Sequence, residues 1–283
     1  YTGANEFFVD ENQTAIGTVT ATDADGSDLS FSISNPDISI DNATGIMSFV
    51  SAPDYEQQTE YSETIQITDG TLTTNADINI FINNLNDNTP ELTSGTNYSA
   101  DENQTAIGTV TATDADGDSV IFSVSGSELE ITSGGVLTFA SAPDYETKSS
   151  YSAALTLSDG ENNRTVNIIV AVNNLNDNAP VITSDASFSV DENETVIGTV
   201  TASDIENDTI AYSISGSEID INSSTGVLTF VSPPDFETKT SYSAEVTASD
   251  GTNSTTQELN ISINNINDNE PVITSGATFS ADE

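Results

Sequence analysis

Along this chain the apolar residues come in short bursts at every second position. Leu29, Phe31 and Ile33 alternate with serines, and Ile78, Ile80 and Ile82 keep the same spacing. A period of two, with no stretch of period 3.6, predicts strands with one buried face and no helices. Val19 and Ala21 follow the rule, whereas Ile16 stands three residues before Val19 with Gly17 between them, which predicts a bulge at the glycine. Tyr61, Ile65 and Ile67 predict another strand, matched by Tyr151, Leu155 and Leu157 and by Tyr242, Val246 and Ala248. Turns are signalled at Asp69-Gly70, Asp159-Gly160 and Asp250-Gly251, and again at Thr44-Gly45 and Ser133-Gly134. Roughly seven strands in each stretch of about 90 residues point to a small antiparallel β-sandwich. Glu63 breaks the pattern, because it falls on the face that Ala153 and Ala244 occupy elsewhere, and is expected near a rim.

The strand pattern is repeated. Residues 10–26 recur letter for letter at 101–117, and a diverged copy runs over 191–207. At the other end of each repeat, NLNDNTP begins at Asn84, NLNDNAP at Asn174 and NINDNEP at Asn265, a period of about 90 residues. Such a period exceeds that of solenoids and fits separate domains in a row, each with a thin core of its own. A terminal SADE places Glu283 at the repeat position of Glu11, Glu102 and Glu192. Three repeats and the start of a fourth are therefore expected, as an interior segment of something longer.

Composition narrows the chemistry. Hydrophobic residues make up 35% of the 283, so large single cores are not expected. Three basic residues, Lys148, Arg164 and Lys239, face 46 acids for a formal charge of −43, which repels phosphate backbones and anionic membranes. Without cysteine or histidine there is no thiol nucleophile, zinc site, histidine base or Ser-His-Asp triad. No apolar run is long enough to span a membrane, and the first residues lack the pattern of a signal peptide. What remains is carboxylate chemistry.

The acids cluster. In the first repeat acids and amides gather at Asp10-Glu11, Asp23 and Asp25, Asp54 and Glu56, Asp69, and the run Asn84 to Asn88. Several carboxylates brought to one point repel each other and need a hard cation. Calcium, with six to eight oxygen ligands, suits a chain that lacks the nitrogen and sulfur donors preferred by zinc or copper. Asp114, Asp116 and Asp118 imitate the start of an EF-hand loop, but the glycine comes too early and Ser125 stands where the closing glutamate belongs. An acid pair such as Asp54 and Glu56 could serve a glycosidase only beside a cleft, which a thin repeated sandwich does not offer. The sequence contains Asn-x-Ser/Thr matches, among them Asn12, Asn103 and Asn193, which a chain so rich in Asn, Ser and Thr makes by chance.

The fixed order of DEN, DAD and DYE within each period, closed by NDNxP, resembles tandem cadherin repeats over residues 1 to 283. The resemblance implies an all-β chain of tandem Greek-key, immunoglobulin-like sandwiches joined end to end, with repeats at 1–90, 91–180 and 181–271 and a further start at 272–283. It also implies several calcium ions between successive repeats. At the first junction the implied ligands are Glu11, Asp54, Glu56, Asn84, Asn86 and Asp87, the carbonyls of Leu85 and Asn88, and Asp114, Asp116 and Asp159. At the second they are Glu102, Asp144, Glu146, Asn174, Asn176 and Asp177, the carbonyls of Leu175 and Asn178, and Asp204, Glu206 and Asp250. Two half-sites are left, Asp23, Asp25 and Asp69 at one end, and Glu192, Asp235, Glu237, Asn265, Asn267 and Asp268 at the other.

Where animal cadherins carry Asp, this chain has Asn84, Asn174 and Asn265, and Glu206 replaces the second Asp of the DxD motif. Absence of tryptophan removes the strand-exchange anchor of animal cadherins. Near-identical repeats and scarce basic residues look more like the large surface adhesins of bacteria. The expected role is a non-enzymatic, calcium-stiffened extender of an extracellular or cell-surface adhesin. The alternative is a directly adhesive module with a homophilic or glycan partner. Neither nucleic acid nor membrane insertion by this segment is expected.

Overall fold

A computed structural model describes residues 5–274 and 276. Every regular element among them is a strand, and no helix is long and apolar enough to cross a membrane. The terminal SADE with Glu283 lies outside the described residues. Packing divides the chain into two compact units, Tyr1–Pro143 with Ser150–Val172, and Asp144–Ser149 with Asn173–Glu283.

In the first repeat β1 (Glu6–Asp10), β2 (Ala15–Thr18), β3 (Ser30–Ile33), β4 (Ile38–Ile40), β5 (Ile46–Phe49), β6 (Glu60–Thr68) and β7 (Thr73–Asn83) form two sheets, ordered β1-β7-β6-β3 and β2-β5-β4. The alternation does what it predicts. Ile65, Ile67, Ile78 and Ile80 from one sheet meet Ile38, Met47 and Phe49 from the other, while the residues between them face outward. The bulge is present too, since the β2–β5 register shifts between Ala15 and Gly17. Glu63 is half-buried, and its carboxylate accepts a hydrogen bond from the Asn35 side chain.

One expectation is corrected: the sandwich is not wholly antiparallel. β1 runs parallel to β7, from Glu6 opposite Asn79 to Asp10 opposite Asn83. Burial alternation reports which face a residue takes and carries no information about its neighbour's direction. Since almost the whole repeat separates β1 from β7, no tight hairpin imposes an antiparallel pairing. Ser187–Asp191 pairs with Ser254–Asn264 in the same parallel way. The parallel ladder matters because it ends the first and last strands of a repeat at one pole, where Glu11 N–H donates to the Asn83 carbonyl.

The later repeats reuse the plan. In the second, one sheet holds Asn97–Asp101, Ile121–Val124, Ser150–Ser158 and Asn163–Asn173, and the other Ala106–Thr109, Leu129–Ile131 and Val136–Phe139. Glu91–Leu92 adds a short antiparallel pair with Ala112–Thr113, laying the chain that leaves the linker against the second sandwich. Val181–Ile182 pairs with Ala202–Ser203 in the third repeat. The Ser133-Gly134 turn is present, closed by the Gly135 N–H on the Thr132 carbonyl at 2.9 Å. The left-handed residue is Gly135, at φ +84°, where a Cβ would lie 2.2 Å from the Val110 carbonyl oxygen. It corresponds to Gly45 and Gly226, whose Cβ positions meet the Val19 and Val200 carbonyls in the same way.

Candidate metal centres

Each candidate centre starts from a buried glutamate placed just after the first long strand of its repeat. Glu11 is 1% exposed; its Oε2 accepts the Tyr55 N–H at 2.8 Å and its Oε1 the Leu85 N–H at 2.8 Å. Glu192 is built alike, with Phe236 N–H at 2.9 Å and Ile266 N–H at 2.6 Å. Glu102 is buried as deeply. Two backbone donors satisfy both oxygens of Glu11 and of Glu192, which burial would otherwise leave without partners, and so anchor a carboxylate at the pole of the sandwich.

Around Glu11 the other acids close in. One oxygen each of Glu11, Glu56, Asp87 and Asp116 lies within 4.8 Å of the others. Asp116 Oδ2 accepts the backbone N–H groups of Asp87 at 3.0 Å and Asn88 at 2.8 Å, so the second sandwich grips the linker directly. Asn84 Nδ2 donates to the Asp116 carbonyl at 2.8 Å. The Asn88 amide donates to Asp116 Oδ1 at 2.7 Å, Asp87 Oδ1 at 3.0 Å and Glu56 Oε2 at 3.2 Å, setting a positive pole among three carboxylates. Burial pushes the Glu56 carboxyl above its ordinary value, with the charges of Glu11 and Asp116 adding to the effect. For Asp116 burial also pushes upward, but the bonds from Asn88 and Asp87 outweigh it and leave the group below its ordinary value.

The same parts recur in the second unit. Glu146, Asp177 and Glu206 approach within 4.8 Å, and Asn178 Nδ2 donates to Asp177 Oδ1 at 2.8 Å and to Glu206 Oε1 at 2.5 Å. Beyond the third sandwich Glu192, Glu237 and Asp268 form a further cluster. Asn265 Nδ2 donates to Glu237 at 3.3 Å.

Other expected ligands take local partners. Asp54, Asp144 and Asp235 accept from Gln57, Thr147 and Thr238 respectively, three residues on. Asp23 Oδ1 accepts the N–H groups of Asp25 and Ser27, and Asp69 Oδ1 those of Thr71 and Leu72. The Leu85 and Leu175 carbonyls accept from Asp87 N–H and Asp177 N–H, both at 3.1 Å. Asn86 and Asn176 each receive an amide, from Asn162 and Asn253.

Whether a hard cation fits is answered by oxygens without donors. Asp114 Oδ2, Asp159 Oδ2, Asp204 Oδ2, Asp250 Oδ2 and Glu206 Oε2 are shut off from solvent and accept no hydrogen bond. Orphaned buried carboxylate oxygens are costly. These five are acids that the resemblance assigns to calcium, and all-oxygen donor sets suit that ion. The residues present fit it.

Two kinds of site residue were missed in the sequence. Asn12, read there only as a glycosylation match, takes φ +63° and donates its side chain to Asp87; Asn193, at φ +68°, donates to Asp268 at 2.8 Å. Its recurrence directly after each buried glutamate was the available signal. Asn162 and Asn253 were missed as well, although both stand three residues after an Asp that was noticed.

This fold and these centres define a class, tandem cadherin-like β-sandwiches. Residues 186–264 match the cadherin domain model. The chain is 32% identical over 289 residues to the cadherin EGF LAG seven-pass G-type receptor 2 of Mus musculus, covering 89% of this chain and 10% of that protein. It is 30% identical over 258 residues to Protocadherin Fat 4 of Homo sapiens, covering 82% and 5%. The chain thus spans about a tenth or less of the length of these curated relatives. Among solved structures, the protocadherin gammaB7 EC3-6 cis-dimer structure shares the fold at a TM-score of 0.72 and 22% identity, covering 94% of this chain and 73% of that one. Mouse cadherin-23 EC22-24 does so at 0.71 and 23%, covering 92% and 96%.

Proposed function

We propose that this chain is an extracellular, calcium-binding extender segment of a cell-surface or secreted adhesion protein, with no enzymatic role, whose linkers stiffen when calcium binds. Its repeats are taken as 1–90, 91–180 and 181–271, with a further one opening at 272–283. The observation that carries the reading is the convergence of Glu11, Glu56, Asp87 and Asp116 on one point of an already acidic chain, beside carboxylate oxygens that accept nothing. The ions would be held by the acids of the repeat before the linker, by the linker, and by Asp114, Asp116 and Asp159, or Asp204, Glu206 and Asp250, of the repeat after it. Calcium supplies charge neutralisation and a shared coordination sphere; the chain supplies the oxygens and their spacing. The letter-for-letter recurrence of residues 10–26 at 101–117 and the scarcity of Lys and Arg support a parent like the large surface adhesins of bacteria.

A directly adhesive role has one specific observation in its favour. Phe8 is 66% exposed and stacks on Phe81 with ring centroids 5.2 Å apart, where the later repeats carry Ser99 and Ala171, and Ser189 and Ser262. The deciding experiment combines calcium titration calorimetry with small-angle X-ray scattering in calcium and in chelator at matched ionic strength. An extender binds calcium, stays monomeric and stiffens; Asp87→Ala loses affinity at the first linker. A calcium-dependent doubling of mass, or retention on a glycan matrix abolished by Phe8→Ser, would favour adhesion. Scattering curves indifferent to calcium, with no heat of binding, would overturn the extender reading.

A further inference from the structure

We infer that Asn162 and Asn253 are positioning residues that hold each linker against the following sandwich without any cation, and so pre-order it for the calcium binding proposed above. Asn162 Nδ2 donates to Asn86 Oδ1 at 2.8 Å and to the carbonyls of Asn88 at 3.1 Å and Asn86 at 3.3 Å. Asn253 Nδ2 repeats the arrangement on Asn176 Oδ1 at 3.0 Å and the carbonyls of Asn178 at 3.2 Å and Asn176 at 3.3 Å. One side chain thereby reaches both ends of a three-residue stretch of linker.

The turn that carries the clamp is itself held. Asp159 Oδ1 accepts Glu161 N–H at 2.8 Å and Asn162 N–H at 2.6 Å, and Asp250 does the same for Thr252 and Asn253. Asp69 makes the equivalent turn in the first repeat, accepting Thr71 N–H and Leu72 N–H, both at 2.7 Å. There the side chain is Leu72, 74% exposed and unable to donate. Identical turns with different side chains separate the clamp from the turn: the aspartate builds the turn, and only the asparagine reaches the linker.

The oxygens it holds matter to the proposed role. Asn86 Oδ1 and the Asn88 carbonyl are among the ligands implied for calcium. Each has a second lone pair, so it can accept from Asn162 while facing an ion. Partners behind metal ligands fix their orientation in this way. A linker ordered in advance does not pay that ordering when the ion binds, so breaking the clamp lowers apparent affinity by the factor by which it depopulates the ordered linker.

The test uses the full chain with Asn162→Asp, which keeps the shape but cannot donate, and Asn162→Leu, which copies the first repeat. Hydrogen exchange of the Asp87 and Asn88 backbone amides is followed in chelator, where both variants should speed exchange by roughly tenfold, the worth of one to two ordinary hydrogen bonds. Calcium affinity at the first linker should fall by about the same factor in Asn162→Leu, while the unfolding midpoint of the second sandwich stays in place. Exchange in chelator that is equal in wild type and both variants would overturn the clamp. Faster exchange with unchanged affinity would overturn its pre-ordering role. If the wild type bound no calcium, the proposed function would fall, and the chelator measurement would still decide the clamp.

Discussion

Glu11 Oε1 accepts the backbone N–H of Leu85 across seventy-four positions of sequence, at 2.8 Å, and so ties the start of the first repeat to its exit linker. Its other oxygen holds Tyr55 N–H at 2.8 Å. The side chain is therefore structural before any ion arrives. Glu11→Ala would leave two part-buried N–H groups without this acceptor, each costing up to about 1–3 kcal/mol. We expect the first sandwich to lose roughly 3 kcal/mol in chelator, read by urea denaturation, and Glu11→Gln to lose less because one oxygen acceptor survives. Wild-type stability of Glu11→Ala in chelator would mean that the carboxylate serves only the metal.

Neighbouring glycines in the second repeat make a sharper contrast. Gly135 combines a left-handed backbone with a Cβ position 2.2 Å from the Val110 carbonyl oxygen, whereas Gly134 has its nearest neighbour at 3.9 Å. Gly135→Ala should cost at least about 2 kcal/mol, from left-handed strain plus displacement of the backbone at Val110. Gly134→Ala should fall within about half a kcal/mol of wild type. Thermal unfolding of the two variants side by side checks both.

The equivalent turn of the first repeat should respond to pH. Asp41 Oδ1 accepts Thr44 Oγ1–H at 2.7 Å, Thr44 N–H at 2.8 Å and Ala43 N–H at 3.1 Å, and the Thr44 hydroxyl is the largest cause of a carboxyl held below its ordinary 3.8. A depressed carboxylate contributes stability above its unfolded value and loses it as pH falls through the lower folded value. Acid should therefore weaken this turn only below about pH 4. Thr44→Val should raise the Asp41 midpoint toward 3.8 in a carboxyl-carbon NMR titration. In the third repeat Asn222 takes the same place, accepting Ser224 N–H and Thr225 N–H, and has nothing to titrate.

The strands were legible because burial on one face imposes a period of two, and Ile65, Ile67, Ile78 and Ile80 all fall inside as their spacing requires. Direction was not, since the parallel β1–β7 pairing leaves the alternation of Phe7 and Val9 unchanged. The acids of the centres could be read because crowding like charges is costly and so carries information. Asn12 and Asn162 could not be read as readily. Asparagine is common throughout this chain, and its role depends on where Nδ2 lands, at Asp87 in one case and at Asn86 in the other. The Asp-Gly signals align Leu72 with Asn162 in the letters, but that the asparagine amide reaches the linker is visible only in the geometry.

Asn12 offers a way to separate linker order from metal binding. Its amide donates to Asp87, so Asn12→Asp exchanges an attractive contact for two facing carboxylates and adds one oxygen ligand to an acidic group. In chelator the variant should be less stable than wild type by about 1 kcal/mol, the cost of a lost hydrogen bond with added like-charge repulsion. In calcium the new carboxylate is neutralised and the gap should close or reverse. Added monovalent salt should recover part of the loss, because the Debye length shortens to about 3 Å at 1 M. Thermal melts in chelator, in calcium and in chelator with 1 M salt give the ordering. A deficit in calcium as large as that in chelator would show that no cation is held beside Asp87.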